Sequence, residues 1–336
     1  MKYTKFGALI LLISILTFAQ KTYTIKMATV APEGSAWMEE MHQFEKDIAK
    51  LSNNQIAFKV YANAVQGSEK DVLRKMKLGQ IDAATFTGVG LGDIVPEVRI
   101  LDLPFLFRNS REVDYVYGKL LDEFQKKFEE KGFYLVGWAE VGFVYLFTKK
   151  PVRSISDFKN IKMWLWKGDP LAKTTFSVMN IPAIPLEITD VHTSLQTGLI
   201  DGVYISPYGV LALQWYVRTN YILDYPLTNS VGAVLMTTRK LNSMPEDLRN
   251  ILIEETQKSM RRIVISSRKD NLESLDVLQE AGLELLPPKN RAAIDEFNAA
   301  GVKVREKLVG SLYSQELLDK VVRLLDEYRE ANGSQN

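Results

Sequence analysis

Chemistry in a chain of this kind is carried first by histidine and cysteine, and here they are scarce: two histidines, His42 and His192, and no cysteine in 336 residues. Glu39 and His42 form a Glu-x-x-His pair with Glu45 one turn further on, a spacing that ligates metal inside helix bundles. One such pair in an α/β chain reads as a solvated helix face, and no metal is expected. His192 follows Asp190 near a helix start, where polar residues are routine. There is no Gly-x-Ser-x-Gly, Walker loop or His-Glu-x-x-His. Gly88-Val89-Gly90-Leu91-Gly92 lacks the full phosphate-binding fingerprint and reads as a flexible loop. An enzyme thus has no visible nucleophile and base, and no cofactor is expected. Aromatic residues offer another chemistry. Trp37, Phe143, Tyr145, Trp164, Trp166, Tyr204, Tyr208, Trp215 and Tyr216 fall at predicted strand ends and in the turns after them, where open α/β sheets present ligands. A single aromatic commonly fills a core. In IKMWLWKGDP (161–170), however, Trp164 and Trp166 stand two apart on a short strand, so both indoles share one face. That face reads as a binding surface.

The elements that must position these side chains follow from pattern. The length suits two lobes, on a prior of about 100 to 200 residues each. Strands are predicted at 23–30, 56–61, 81–86, 133–138, 143–148, 161–166, 200–205 and 233–237. Helical patterns at 35–52, 68–78, 110–131, 170–179, 189–197 and 208–218 separate many of them, which argues α/β architecture. LGQIDAATFTG (78–88) and TGLIDGVYISP (197–207) echo one another, each running from a helix end through Gly79 or Gly198 into Ile-Asp and a strand. Residues 246–281 contain neither Gly nor Pro after Pro245, and a continuous helix there would run roughly 50 Å, enough to brace both lobes. Two more amphipathic helices are expected near 289–308 and 314–331.

Composition narrows the partners. Lys and Arg total 42 against 41 Asp and Glu, a net charge of +1, which leaves no footprint for nucleic acid. The N-terminal MKYTKFGALILLISILTFAQ has a basic start, an apolar run from Phe6 to Leu16 and small residues at Thr17 and Ala19, the layout of a cleavable secretory signal over 1–19. Its apolar run is shorter than the roughly 20 residues that cross a bilayer. Without cysteine there is no lipid anchor, disulfide framework or thiolate site. The mature protein is expected in the periplasm, with no membrane anchor after cleavage.

Several stretches then carry a family resemblance: MATVAPEGSAW near the start, KLGQIDAA, ILDLPFLF at 100–107, KKPVRSISDFKNIK at 149–162 and PLEITDVHTSLQTGLIDG at 185–202. With these the chain resembles, over essentially its whole mature length, the extracytoplasmic solute receptors of TRAP transporters, of the dicarboxylate-binding type. The resemblance implies a two-lobed periplasmic binding protein fold with a hinge, strands crossing between lobes and a long helix along both. The expected layout is 20–145 plus 231–270 as lobe I, 146–230 plus 271–310 as lobe II, and 311–336 as a C-terminal helix packed on them. It implies a small-molecule solute and the membrane permease subunits of a TRAP transporter as partners. In the family an arginine two residues after the lysine of a Lys-Ile-Arg-Val-Pro run grips the solute carboxylate. Here the run is Lys162-Met163-Trp164-Leu165-Trp166, and Trp164 takes that place. A second arginine, often found after Gly-Phe, is replaced by Val144. The family's Asp-Gly-Gln-Glu-Asn segment reads Asp201-Gly202-Val203-Tyr204-Ile205-Ser206-Pro207.

Magnitudes then decide the solute. A buried carboxylate stripped of its partner costs about 3 to 5 kcal/mol, and one indole N–H returns about 1. Burying roughly 150 Å² of apolar solute supplies about 4 kcal/mol, and aromatic faces attract cations by about 0.5 to 2. The expectation is a largely apolar or amphipathic solute over Trp164 as cleft floor, with Trp166, Phe143, Tyr204 and Tyr208 as walls. Glu33, Trp37 and Ser206 are expected at the rim and as polar contacts. Other readings are a small monocarboxylate held by backbone N–H groups and tyrosine hydroxyls, with or without a metal ion, a solute sensor for a membrane kinase, and an exported enzyme on the same frame.

Overall fold

The computed structural model describes residues 21–333, so the expected signal segment lies outside the described residues. Among the described residues nine strands form one sheet: β1 (Tyr23–Ala28), β2 (Ile56–Tyr61), β3 (Ala83–Thr87), β4 (Phe133–Thr148), β5 (Met163–Trp166), β6 (Ala183–Leu186), β7 (Gly202–Ile205), β8 (Tyr221–Thr237) and β9 (Glu284–Leu286). Their order is β2-β1-β3-β8-β4-β7-β5-β6, with β9 added in parallel to β8. The helices are α1 (Ala36–Leu51), α2 (Glu69–Lys77), α3 (Gly88–Gly92), α4 (Ser110–Glu130), α5 (Pro170–Val178), α6 (Val191–Thr197), α7 (Pro207–Ala212), α8 (Thr238–Asn242), α9 (Glu246–Glu280), α10 (Arg291–Leu308) and α11 (Gln315–Ala331).

Local chemistry explains where elements start. Ser35 caps α1 by accepting from the Met38 N–H, and Ser68 and Asp71 form a reciprocal capping box at α2. Asn109, Asn290 and Ser314 cap α4, α10 and α11 in the same way.

The strand order is close to palindromic. In one half β1 lies between β2 and β3, and β3 pairs antiparallel with β8; in the other β5 lies between β6 and β7, and β7 pairs antiparallel with β4. The sequence echo falls at equivalent joints. Gly79 and Gly198 both take left-handed backbone, φ +77° and +74°, where a side chain would be strained. Asp82 then accepts the Lys26 N–H at 3.0 Å, and Asp201 accepts the Lys162 N–H at 3.1 Å. The same Ile-Asp stitches a strand to its neighbour twice.

Strands β4 and β8 run through both halves as one long antiparallel pair. The two separate strands expected at 133–138 and 143–148 are therefore one. Ladder breaks between Leu135 and Gly137, Glu140 and Gly142, and Val144 and Leu146 interrupt the pattern from which strands are read. Strand β8 begins at Tyr221, not near 233, because Pro226 lies in the stretch between Leu223 and Thr228 that is left out of the ladder. The helix expected over 208–218 breaks after Ala212, where Gln214 takes φ +56°. The Gly88–Gly92 loop is a short helix, for a reason that belongs to the site below.

The core has four clusters. One gathers α4, α11, β3 and β8 around Leu120, Phe124 and Leu235, and another sets α1, β1 and α9 around Ile25, Met41 and Leu252. The other two surround β5 and β7, with Phe158, Met163 and Phe176 in one and Trp164, Val203 and Trp215 in the other. Helix α9 is continuous, its Leu248 and Leu252 in a cluster of the first half and its Leu278 in one of the second. It braces both lobes, as its length requires.

Candidate functional site

The end of β5 carries the indole pair. Trp164 and Trp166 lie side by side, ring centroids 5.5 Å apart, on the shared face their spacing requires. Trp164 is 1% exposed; its Nε1–H donates to the Leu186 carbonyl at 3.1 Å, Tyr204 stacks on it at 5.1 Å, and Trp215 meets it edge-on at 5.3 Å. Trp166 is half-buried, and its backbone N–H donates to the Tyr204 hydroxyl at 3.3 Å. Burial, and then the charge of Asp169, push the Tyr204 phenol far above its ordinary range, so this hydroxyl stays protonated.

Past Trp166 the chain turns through Gly168, φ +84°, to Asp169. Asp169 caps α5: its Oδ1 accepts from Leu171 and Ala172. Its other oxygen reaches the opposite half of the molecule, where Arg99 Nη2 donates to Oδ2 at 3.1 Å. Arg99 also pairs through Nε with Asp102 Oδ2 at 2.9 Å. Burial alone would lower the Arg99 pKa, but Asp169 and then Asp102 more than offset it and hold the guanidinium charged. Burial raises Asp102 to about 6, against the pull of Arg99.

The glycines of α3 explain themselves here. A Cβ at Gly88 would stand 1.8 Å from Asp102 Oδ2, one at Gly90 2.6 Å from the Phe86 ring and 2.8 Å from Glu69 Oε2, and one at Gly92 2.9 Å from Arg99 Cδ. The Gly-x-Gly-x-Gly run makes room for buried charged groups. Glu69, first residue of α2, turns its carboxyl inward to accept from the Thr87 N–H at 2.5 Å and the Thr87 hydroxyl at 2.9 Å. Burial lifts it to about 7, outweighing those hydrogen bonds. A cavity of about 10 Å³ lies beside it, lined by Thr29 just past β1, Gln66, Glu69 and Thr85 of β3.

The other expected residues sit on several elements. Phe143 packs against the α4 and β8 cluster. Ser206 is buried and caps α7 through the Gly209 N–H. Tyr208, on α7, gives its N–H to Asn271 Oδ1 at 3.0 Å, and burial raises its phenol, with Asp270 and Glu39 adding to the effect. Trp37 packs on the α1 cluster with its Nε1 buried and unpartnered. Glu33 is exposed and holds His42 Nε2 at 2.7 Å, while Glu45 takes Nδ1 at 3.1 Å; those two carboxylates raise the His42 pKa. The sequence reading missed Arg99, Asp102, Asp169 and Glu69. Two signals pointed toward them: the Gly-x-Gly-x-Gly run, and Asp169 followed by Pro170, which marks a capped helix start.

No helix among the described residues is long and apolar enough to cross a membrane. Comparison with known proteins places this architecture. The chain is 30% identical to a solute-binding protein of Verminephrobacter eiseniae over 187 residues, 55% of each chain, and so spans about half of that relative's length. It is 26% identical to a solute-binding protein of Chromohalobacter salexigens over 279 residues, 82% of this chain and 75% of that one. A TRAP periplasmic solute binding protein from Pseudomonas putida F1, solved with bound D-glucuronate, shares the fold with a TM-score of 0.82 at 23% identity, covering 93% of this chain and 100% of that one. The fold is that of two-lobed solute-binding receptors, not of enzymes. Residues 27–307 match the bacterial extracellular solute-binding proteins of family 7 (DctP), and the chain belongs to that family.

Proposed function

We propose that this protein is the periplasmic receptor of a TRAP-type transporter, exported by its N-terminal signal. It captures a largely apolar or amphipathic solute between its lobes and delivers it to the membrane permease. In this reading 20–145 plus 231–270 and 146–230 plus 271–310 are the two lobes, with 311–336 packed on them. Trp166, Tyr204 and Tyr208 wall the cleft, Trp164 backs them, and Trp37 lies at the rim.

One observation carries the solute class. Arg99, the cation beside the aromatic face, is already held by Asp102 and Asp169, so what the cleft offers is indole and phenol surface. Apolar burial at about 25 cal/mol per Å² can supply the affinity, whereas a free carboxylate would find the Arg99 guanidinium already shared between two aspartates. A second reading, a small organic monoacid, draws support from the D-glucuronate bound to the Pseudomonas putida relative.

Native mass spectrometry of the purified mature chain, looking for a retained solute, separates the two. An apolar or cationic compound is expected; a sugar acid or other monocarboxylate would favour the second reading, and a dicarboxylate would overturn both. Affinity for the retained compound should fall at least about tenfold, about 1.4 kcal/mol, in Trp166→Ala. Unchanged affinity would take Trp166 out of the site.

A further inference from the structure

Arg99 sits in the 3₁₀ turn Pro96–Asp102, in the half of the molecule opposite Asp169. The three side chains of the cluster are 4 to 6% exposed. Every carboxylate oxygen in it has an assignment. Asp102 gives Oδ2 to Arg99 and Oδ1 to the Val231 N–H at 2.7 Å, and Asp169 gives Oδ2 to Arg99 and Oδ1 to the start of α5. The glycines of α3 close the space on the Asp102 side. On the Asp169 side stands Tyr204, whose neutral hydroxyl accepts the Trp166 N–H.

A guanidinium flanked by one carboxylate still presents donors to a second, which is how arginine grips an organic acid. Here the second carboxylate belongs to the protein. Two aspartates against one arginine give the cluster a surplus of carboxylate, which disfavours a third carboxylate on the same guanidinium. A tethered group also competes at an effective concentration on the order of millimolar, so a free acid would have to exceed that merely to displace it. We propose that Asp169 is a specificity-determining residue that occupies, on Arg99, the position a solute carboxylate would take, and so excludes organic anions from the cleft. This rests on the reading of the interlobe cleft as the solute site.

The test uses the mature chain with succinate and D-glucuronate as probes, each followed by ligand-dependent melting and by calorimetry. Asp169→Asn keeps a residue that caps helices well and removes the charge. It is expected to gain at least about tenfold in affinity for one of the acids over the wild type, and the double variant Arg99→Gln/Asp169→Asn is expected to lose that gain. Asp169→Ser, also a good cap, serves if the asparagine variant fails to melt cooperatively. A folded variant that gains nothing, or a gain that persists without Arg99, overturns the inference while leaving the solute reading intact. Tight succinate binding by the wild type overturns the solute reading itself, whatever the variants do.

Discussion

Glu69 begins α2 with a carboxyl turned under β3, and burial raises it from 4.5 to about 7 although Thr87 donates to it twice. A folded-state pKa above the unfolded one means that the native state binds more protons between those values. The stability Glu69 contributes is therefore fully present below about pH 4.5 and lost as pH rises through about 7. Asp102 acts in the same sense, from 3.8 to about 6. The melting temperature should fall between about pH 5 and about pH 8, and Glu69→Gln should make the fall shallower, leaving the Asp102 part. An unchanged slope in Glu69→Gln would show that this carboxyl is ionised and hydrated in the native state.

At the level of elements, the bulge at Glu140–Gly142 ties three pieces together. Asn271 of α9 donates from Nδ2 to the Val141 carbonyl at 3.0 Å and accepts the Tyr208 N–H of α7 on Oδ1, while Ser267 donates to the Glu140 carbonyl. Gly142 sits beneath Asn271 at φ +103°, and a Cβ there would lie 2.5 Å from Nδ2. Gly142→Ala should therefore cost at least about 1 to 3 kcal/mol from backbone strain alone, before the clash is added. It should also free α9 from the crossing strands, seen as faster amide exchange at Asn271 and Tyr208 in the variant. A variant as stable as the wild type would mean that the bulge relaxes at little cost. This junction also marks where sequence reading stops. Helix α9 was legible because 35 residues without Gly or Pro leave few other outcomes, and the Ile-Asp echo gave the repeated joint of β3 and β7. The through-running β4 and β8 were not, since bulges shift the two-residue period that signals a strand. Within the site, the pairing of Trp164 with Trp166 followed from strand geometry alone. The Arg99 cluster did not, because a contact between residues 70 positions apart is set by how the halves meet, which no local pattern records.

For the whole molecule the question is how a solute enters. The cavity beside Glu69 holds about 10 Å³, too little for any solute, and Arg99 meets Asp169 across the halves. Entry requires them to part, and the elements that must bend are the crossing strands and α9. A network running from the surface inward fixes that pivot: Arg268 of α9 holds the exposed Asp114 at 2.6 Å and the buried Glu140 at 2.6 Å, and Glu140 also accepts from Asn229 of β8 at 2.8 Å. Because this network lies on the pivot, opening can leave it whole while the Arg99 to Asp169 bond, on the moving faces, breaks. That bond should then set the balance between open and closed forms. Arg99→Gln leaves Asp102 and Asp169 facing each other without their cation, and two like charges out of water favour separation. In small-angle scattering the solute-free wild type should have a radius of gyration of about 20 Å, that of a compact chain of this length. Arg99→Gln should exceed it on the order of 1 Å, the scale of a hinge opening. Acidification should reverse part of the rise as Asp102 regains its proton, and in this variant it does so above the value of about 6 that Asp102 has beside Arg99, because Arg99 no longer holds it down. A scattering curve identical to that of the wild type at neutral pH would mean that apolar contacts, and not this ion pair, hold the lobes together.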